Sequence, residues 1–149
     1  MSRPVFSVII PTFDRAALVT QAVKSVLDQS FEDREIVVVD DGSTDGTRES
    51  LKPYSDRIHY IFQENSGVAA ARNRRTAESR GESLASLDSD DLFETAMLER
   101  VLETFERHPE AGAVFTAEVE LNARGQRCRV LTKNTPGEFF TPAGMIGRD

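Results

Sequence analysis

Three carboxylates fall within four residues at Asp88-Ser89-Asp90-Asp91, directly after a β-prone run from Ser83 to Leu87. Unneutralised, such a cluster repels itself and raises its members' pKa values. A hard divalent cation with oxygen ligands, Mg²⁺ or Mn²⁺, relieves the repulsion and leaves coordination positions for phosphate oxygens. The competing reading is that these residues cap a helix beginning near Leu92, where negative charge suits the helix dipole. A second acidic pair lies in Asp40-Asp41-Gly42-Ser43-Thr44-Asp45-Gly46. A carboxylate there could accept from a base N–H or a ribose hydroxyl. It could equally close an Asx turn, with Ser43 or Thr44 capping the next helix. Pro11-Thr12 and Asn65-Ser66-Gly67 are two more polar breaks after β-like runs. Arg72 and Asn73, followed by Arg74, Arg75 and Arg80, bring positive charge that could meet a diphosphate or stack on a base. A solvated helix face accounts for Arg75 and Arg80. His59 and His108 are far apart and Cys128 is the single cysteine, so a zinc site has no support. No strand–turn–helix elbow presents a nucleophilic serine.

These clusters need elements to hold them. Val5 to Ile10 is a β-like run that should end at Pro11, and Glu35 to Val39 is apolar after its first residue, as in a strand buried on both faces. Ile58 to Phe62 and Ser83 to Leu87 are further strand candidates, and Ala113 to Thr116 reads as a fifth. Between them lie helical patterns. Val19, Ala22, Val23, Val26 and Leu27 make one helical face, with Asp14 as its expected N-cap. Val68 to Ser79 is an Ala-rich helix, in which Ala69, Ala70 and Ala71 permit close approach to a sheet. Met97, Leu98, Val101, Leu102 and Phe105 form another face, stopped by His108-Pro109. Strands alternating with helices predict an α/β fold, Rossmann-like, with a mostly parallel sheet and flanking helices. All four polar clusters would then face one rim, at the carboxyl ends of the strands, where open α/β sheets bind ligands. Beyond Glu118, Val119-Glu120-Leu121 and Cys128 to Leu131 suggest a hairpin around Asn122 to Gly125.

Composition narrows the function classes. The 149 residues suit one domain, and 39% hydrophobic with 29% charged residues is ordinary globular composition. No apolar run approaches the roughly 18 residues of a membrane span, and the mean hydropathy is −0.38. Nothing resembles a secretory signal, and a lone cysteine forms no internal disulfide, so the cytoplasm is the expected compartment. Eighteen basic against 25 acidic residues leave a net charge of −7, which opposes nucleic-acid binding. It does not oppose a phosphate-bearing small molecule bridged by a divalent cation.

Taken together, Ser7 to Arg15, Val38 to Asp45, Asn65 to Asn73 and Leu87 to Asp91 resemble the family 2 glycosyltransferases, which have the GT-A type nucleotide-sugar fold. The resemblance covers roughly residues 5 to 117. It implies a donor-binding α/β region over residues 1–117 and an incomplete acceptor-side region over 118–149. It implies that Pro11 and Thr12 border the nucleobase, that Asp41 reaches the base with Asp40 beside it, and that Gly67 and Arg72 line the nucleotide pocket. Asp88-Ser89-Asp90 looks like the family's DXD element, with Asp88 near the ribose and Asp90, together with Asp91, on the cation. The implied reaction is inverting transfer of a sugar from a nucleoside diphosphate, a UDP-sugar first, to an acceptor hydroxyl of a saccharide, lipid or protein. Cell wall or polysaccharide biosynthesis is the implied setting, at the cytoplasmic face of a membrane or free in the cytoplasm, in a chain able to form a homo-oligomer. The family's general base lies well downstream of DXD, so it is expected beyond Asp149, in a chain that looks truncated at its C-terminus. Glu118, Glu120, Glu138 and Asp149 match no family motif.

Three other readings compete. A truncated or degenerate glycosyltransferase would bind nucleotide without transferring sugar. A metal-dependent nucleotidyltransferase also uses an acidic rim, but wants a Gly-rich loop after its first strand, where Pro11 to Arg15 has no glycine. A phospho-acceptor receiver wants acidic residues after its first and third strands, whereas here they follow the second and fourth.

Overall fold

The computed structural model describes residues 3–64, 79–122, 126–131, 139–140 and 146–147. The chain divides into two compact units, Met1–Leu98 and Glu99–Asp149. In the first, four parallel strands, β1 (Phe6–Thr12), β2 (Arg34–Asp40), β3 (His59–Phe62) and β4 (Ser83–Ser86), form one sheet in the order β3-β2-β1-β4. The chain steps outward from β1 to β2 to β3, then returns to lay β4 on the other side of β1. Ile9 pairs with Val37 and Val39 with Ile61, so these four residues fall on one face and form a buried cluster. Every residue from Ile36 to Asp40 is buried, as the continuous apolar run predicts.

β1 does not end at Pro11. It runs on to Thr12, paired with Asp40 of β2. Pro11 acts instead on the other side of the strand. The β1–β4 ladder registers Ile9 with Ser86, and Leu87 N–H donates to the Ile9 carbonyl at 3.0 Å. The next rung of a parallel ladder would take its donor from Pro11, which has none. The two strands therefore part at their carboxyl ends.

Helix α1 (Ala16–Leu27) buries Val19, Ala22, Val23 and Val26, the stripe expected from their spacing. Its last carbonyls are met by Arg34, whose Nε donates to Val26 O and Nη2 to Leu27 O, each at 2.8 Å, while Nη1 donates to Phe31 O. Helix α2 (Thr47–Leu51) runs into a 3₁₀ turn (Lys52–Tyr54). Helix α3 (Met97–Arg107) starts later than Leu92 suggests. The expected helix Val68–Ser79 lies almost wholly outside the described residues. In the second unit, β5 (Glu118–Leu121) and β6 (Arg127–Leu131) form the expected antiparallel hairpin, and β7 (Phe139–Phe140) pairs with β8 (Ile146–Gly147). The strand expected over Ala113–Thr116 is reduced to a single bridge at Ala113. No helix among the described residues is long and apolar enough to cross a membrane.

At the amino end of the sheet, buried Ser7 donates to Glu35 Oε1 at 2.5 Å and accepts from Gly81 N–H at 2.7 Å. The Arg80 amide donates to Glu35 Oε1 at 2.6 Å, and its guanidinium pairs with Oε2 at 2.8 Å. Burial alone would raise the Glu35 carboxyl. The hydrogen bonds from Ser7 and Arg80, with the charge of Arg80, outweigh it and hold the group below its ordinary 4.5. A carboxyl lowered on folding contributes stability that is full above its unfolded value and is lost as pH falls from there through the lowered, folded value. Unfolding by urea should therefore show the protein weakening below about pH 4.5, with a smaller fall in Glu35→Gln. At pH 7 the variant should lie about 1–3 kcal/mol below wild type. An identical pH response in both would remove Glu35 from this role.

Candidate functional site

The crevice where β1 and β4 part is the point at which strand order reverses, the place where open α/β sheets take their ligands. On one side of it the β1 tip lies against the β2 tip. Thr12 is 4% exposed, and its Oγ1 has no hydrogen-bond partner among the described residues. Its carbonyl accepts from Asp41 N–H at 3.0 Å. A buried hydroxyl without a partner is rare and invites a ligand or a water.

Asp40 is fully buried, and both its oxygens are used inside the fold. Oδ1 accepts from Ser43 N–H at 2.8 Å, three residues on, which closes the loop around Asp41 and Gly42, whose φ of 91° suits glycine. Oδ2 accepts from the Tyr60 hydroxyl at 2.5 Å. Burial, followed by the hydrogen bond to Asp40 and its charge, pushes the Tyr60 phenol above its ordinary 10. Asp41, half-buried, accepts from Gln63 Nε2 at 2.6 Å. Loop closure and a carboxylate at the rim are thus not alternatives: Asp40 closes the loop from inside, and Asp41 is half-buried at the strand end, while the Asx turn itself is made by Asp45 with Thr47 N–H.

The β1 and β2 loops are stitched together by their own polar side chains. Asp14 N–H donates to Ser43 Oγ at 2.8 Å, and Asp14 Oδ1 accepts from Thr44 N–H at 2.7 Å. Asp14 has φ 48°, a left-handed conformation that Asp tolerates through such local bonds. It does not cap α1. That role falls to Asp45 from the neighbouring loop, whose Oδ2 accepts from Ala16 N–H at 3.0 Å. Asp45 Oδ1 accepts from Thr47 N–H at 3.0 Å and from the Thr47 hydroxyl at 2.6 Å, so it also holds the start of α2, in place of Ser43 or Thr44. The Thr47 hydroxyl first, and then the Ala16 amide, hold the Asp45 carboxyl below its ordinary 3.8.

Across the crevice, Leu87 and Ser89 are buried while Asp88, Asp90 and Asp91 are exposed. Asp91 N–H donates to Asp88 O at 3.0 Å, making a turn. The helix that these residues might have capped begins only at Met97, which removes that alternative. The segment after the turn is anchored to α1. Ser25 Oγ accepts from Phe93 N–H at 3.1 Å, and buried Gln29 donates to Glu94 O at 2.8 Å and accepts from Leu98 N–H at 3.1 Å. Asp90 therefore hangs from a loop tied at both ends, and its Oδ2 meets Arg15 Nη1 at 2.7 Å. The β1 rim thus touches both acidic loops, at Asp14 on the β2 side and at Arg15 on the β4 side.

No three His, Cys, Asp or Glu among the described residues gather to hold a metal ion by themselves. Asp88, Asp90 and Asp91 therefore do not form, among the described residues, the three-carboxylate cluster that their spacing suggests. The donor set instead fits an open site of one or two carboxylates completed by phosphate oxygens, the usual form for Mg²⁺. In this structure Asp90 Oδ2 is paired with the Arg15 guanidinium.

Of the residues singled out in the sequence, the structure places Pro11, Thr12, Asp40, Asp41, Asp88, Asp90 and Asp91 at one end of one sheet. Gly67, Arg72, Asn65 and Asn73 lie outside the described residues. Sequence reasoning missed Arg15, Tyr60, Gln63 and the double role of Asp45. A signal existed only for Arg15, the one basic residue in the Pro11–Arg15 loop.

The family model described as Glycosyl transferase family 2 matches residues 7–143. Among curated proteins, the chain is 44% identical over 105 residues to TuaG of Bacillus subtilis (strain 168), named as a teichuronic acid biosynthesis glycosyltransferase. That match covers 68% of this chain and 42% of TuaG. Among solved structures, Staphylococcus aureus TarS 1-349 in complex with UDP-GlcNAc superposes with a TM-score of 0.63 at 29% identity, over 70% of this chain and 32% of that one. The mannosyltransferase PcManGT from Pyrobaculum calidifontis, in complex with GDP-Man and Mn²⁺, superposes with a TM-score of 0.64 at 26% identity, over 75% and 35%. The chain spans less than half the length of each of these three proteins.

Proposed function

The chain belongs to glycosyl transferase family 2, and from that premise we propose that it forms the donor-binding part of a metal-assisted, inverting glycosyltransferase acting on a nucleoside-diphosphate sugar. The observation that carries the reading is the contact of one strand tip, Thr12 to Arg15, with both acidic loops at the switch point of the sheet. TarS and PcManGT are similar structures that hold UDP-GlcNAc and GDP-Man, and a UDP-sugar is the first candidate donor here.

In this reading Pro11 and Thr12 border the base, and the Thr12 hydroxyl, without a partner among the described residues, finds one there. Asp41, at the rim, accepts from the base. Asp40 serves it indirectly, by fixing the turn through Ser43 and Tyr60. The family pattern assigns Gly67 and Arg72, which lie outside the described residues, to the nucleotide pocket as well. Asp88 sits toward the ribose, and Asp90 with Asp91 would hold Mn²⁺ or Mg²⁺. When bound, the cation neutralises the charge that builds on the leaving diphosphate oxygen. The sugar becomes oxocarbenium-like, and the acceptor hydroxyl must approach its opposite face. A carboxylate has to take the proton of that hydroxyl. No residue of this chain is assigned to that step.

Calorimetry with UDP, GDP and dTDP, with and without Mn²⁺, tests the proposal. One of the three should bind, and only weakly once Mn²⁺ is removed by chelation. Failure of all three in the presence of Mn²⁺ would overturn it.

A further inference from the structure

Arg15 and a divalent cation compete for the same oxygen. The guanidinium lies 2.7 Å from Asp90 Oδ2, with the two side chains 44% and 48% exposed. Its backbone is held firmly. The Arg15 carbonyl accepts from Val19 N–H at 2.9 Å, and its neighbours on either side, Asp14 and Ala16, are pinned to Ser43, Thr44 and Asp45. The side chain can swing, but its root stays at the lip of the crevice. Like charges repel, so a cation on Asp90 would displace the guanidinium. Exposed pairs of this kind are weak and yield readily. Once displaced, the guanidinium needs another anion within reach, and its planar fork suits phosphate oxygens.

We propose that Arg15 is an exchangeable counter-ion: it holds Asp90 at the crevice when no cation is bound, and passes to the donor's diphosphate when a cation takes Asp90. The inference rests on the donor-binding reading above and adds to it a binding residue outside the acidic element. Arg15 then has two opposite effects. It opposes binding of the cation alone, and it favours binding of the cation together with a nucleoside diphosphate.

The test uses electron paramagnetic resonance of free Mn²⁺ to measure metal affinity in wild type, Arg15→Gln and Arg15→Lys. A second set of titrations measures, at saturating Mn²⁺, the affinity for whichever of UDP, GDP or dTDP the wild type binds. Arg15→Gln should bind Mn²⁺ alone more tightly, by up to about fivefold. It should bind the nucleoside diphosphate with Mn²⁺ about fivefold more weakly. Arg15→Lys, which keeps the charge, should restore most of both. A residue that only supported the fold would move both affinities in the same direction. Such parallel changes, or no change in either, would overturn the proposal. If wild type binds no nucleoside diphosphate with Mn²⁺, the donor-binding reading fails first and this proposal falls with it. A wild type that binds, beside an Arg15→Gln variant that behaves like it, would sink the role of Arg15 alone.

Discussion

Replacing Gly81 by alanine is expected to cost roughly 3 kcal/mol or more of folding stability, a large part of what a domain of this size possesses. A Cβ at residue 81 would lie 2.4 Å from Ser7 N, 2.6 Å from Ser7 Oγ and 2.7 Å from Phe6 C. Two of those three atoms are backbone in the central strand, so the clash cannot be relieved by rotating a side chain. The chain must move instead, and the same movement would break the Gly81 N–H bond to Ser7 and loosen the Arg80–Glu35 pair beside it. Urea unfolding followed by circular dichroism should show a much lower midpoint with an unchanged slope. A midpoint equal to wild type would mean that the approach of residue 81 to β1 is not as close as described. The effect lies on folding: the glycine is at the amino end of the sheet, opposite the crevice.

Asp90→Ala is expected to do the reverse, leaving the fold and removing the site. The Arg15–Asp90 pair is half exposed, so its loss should change stability by less than about 1 kcal/mol. Mn²⁺-dependent affinity for the nucleoside diphosphate should fall at least about tenfold, the equivalent of ~1.4 kcal/mol, because the anchoring carboxylate of an open cation site is gone. Calorimetry beside a urea titration of the same variant separates the two effects. Unchanged metal-dependent binding in a folded Asp90→Ala would take Asp90 out of the site. Together the two substitutions divide the sheet by its ends: one holds β4 in place, and the other uses what β4 carries.

Much of this was legible in the residues. The uninterrupted Ile36–Val39 run could only be a strand covered on both faces, and it is buried throughout. The 3.6-residue spacing of Val19 to Val26 found the buried stripe of α1. The hairpin after Glu118 was visible from two β-prone runs flanking Asn122 to Gly125. The boundaries that went astray share a cause. Ala113–Thr116 has strand propensity, but a strand is made by its neighbours, and only one bridge forms there. Met97 rather than Leu92 begins α3 because Ser25 and Gln29, far away in sequence, take the backbone groups of Phe93, Glu94 and Leu98.

The sequence by itself determined the element types, the parallel α/β class and the set of acidic residues, since periodicity and local composition act over a few neighbouring residues. It also carried the resemblance to the family. What only the tertiary structure decided is who meets whom. The reversal that puts β4 beside β1 places the Asp88–Asp91 loop across a crevice from Arg15, and a proline read as a strand's end becomes the missing donor where two strands separate. Of two adjacent aspartates with identical chemistry, Asp40 is the last residue of a strand buried on both faces and closes a loop from inside, while Asp41, just past the strand, is half-buried at the rim. Asp45 caps a helix that precedes it in the chain, as no local pattern could reveal, because hydrogen bonds and ion pairs depend on distance in space.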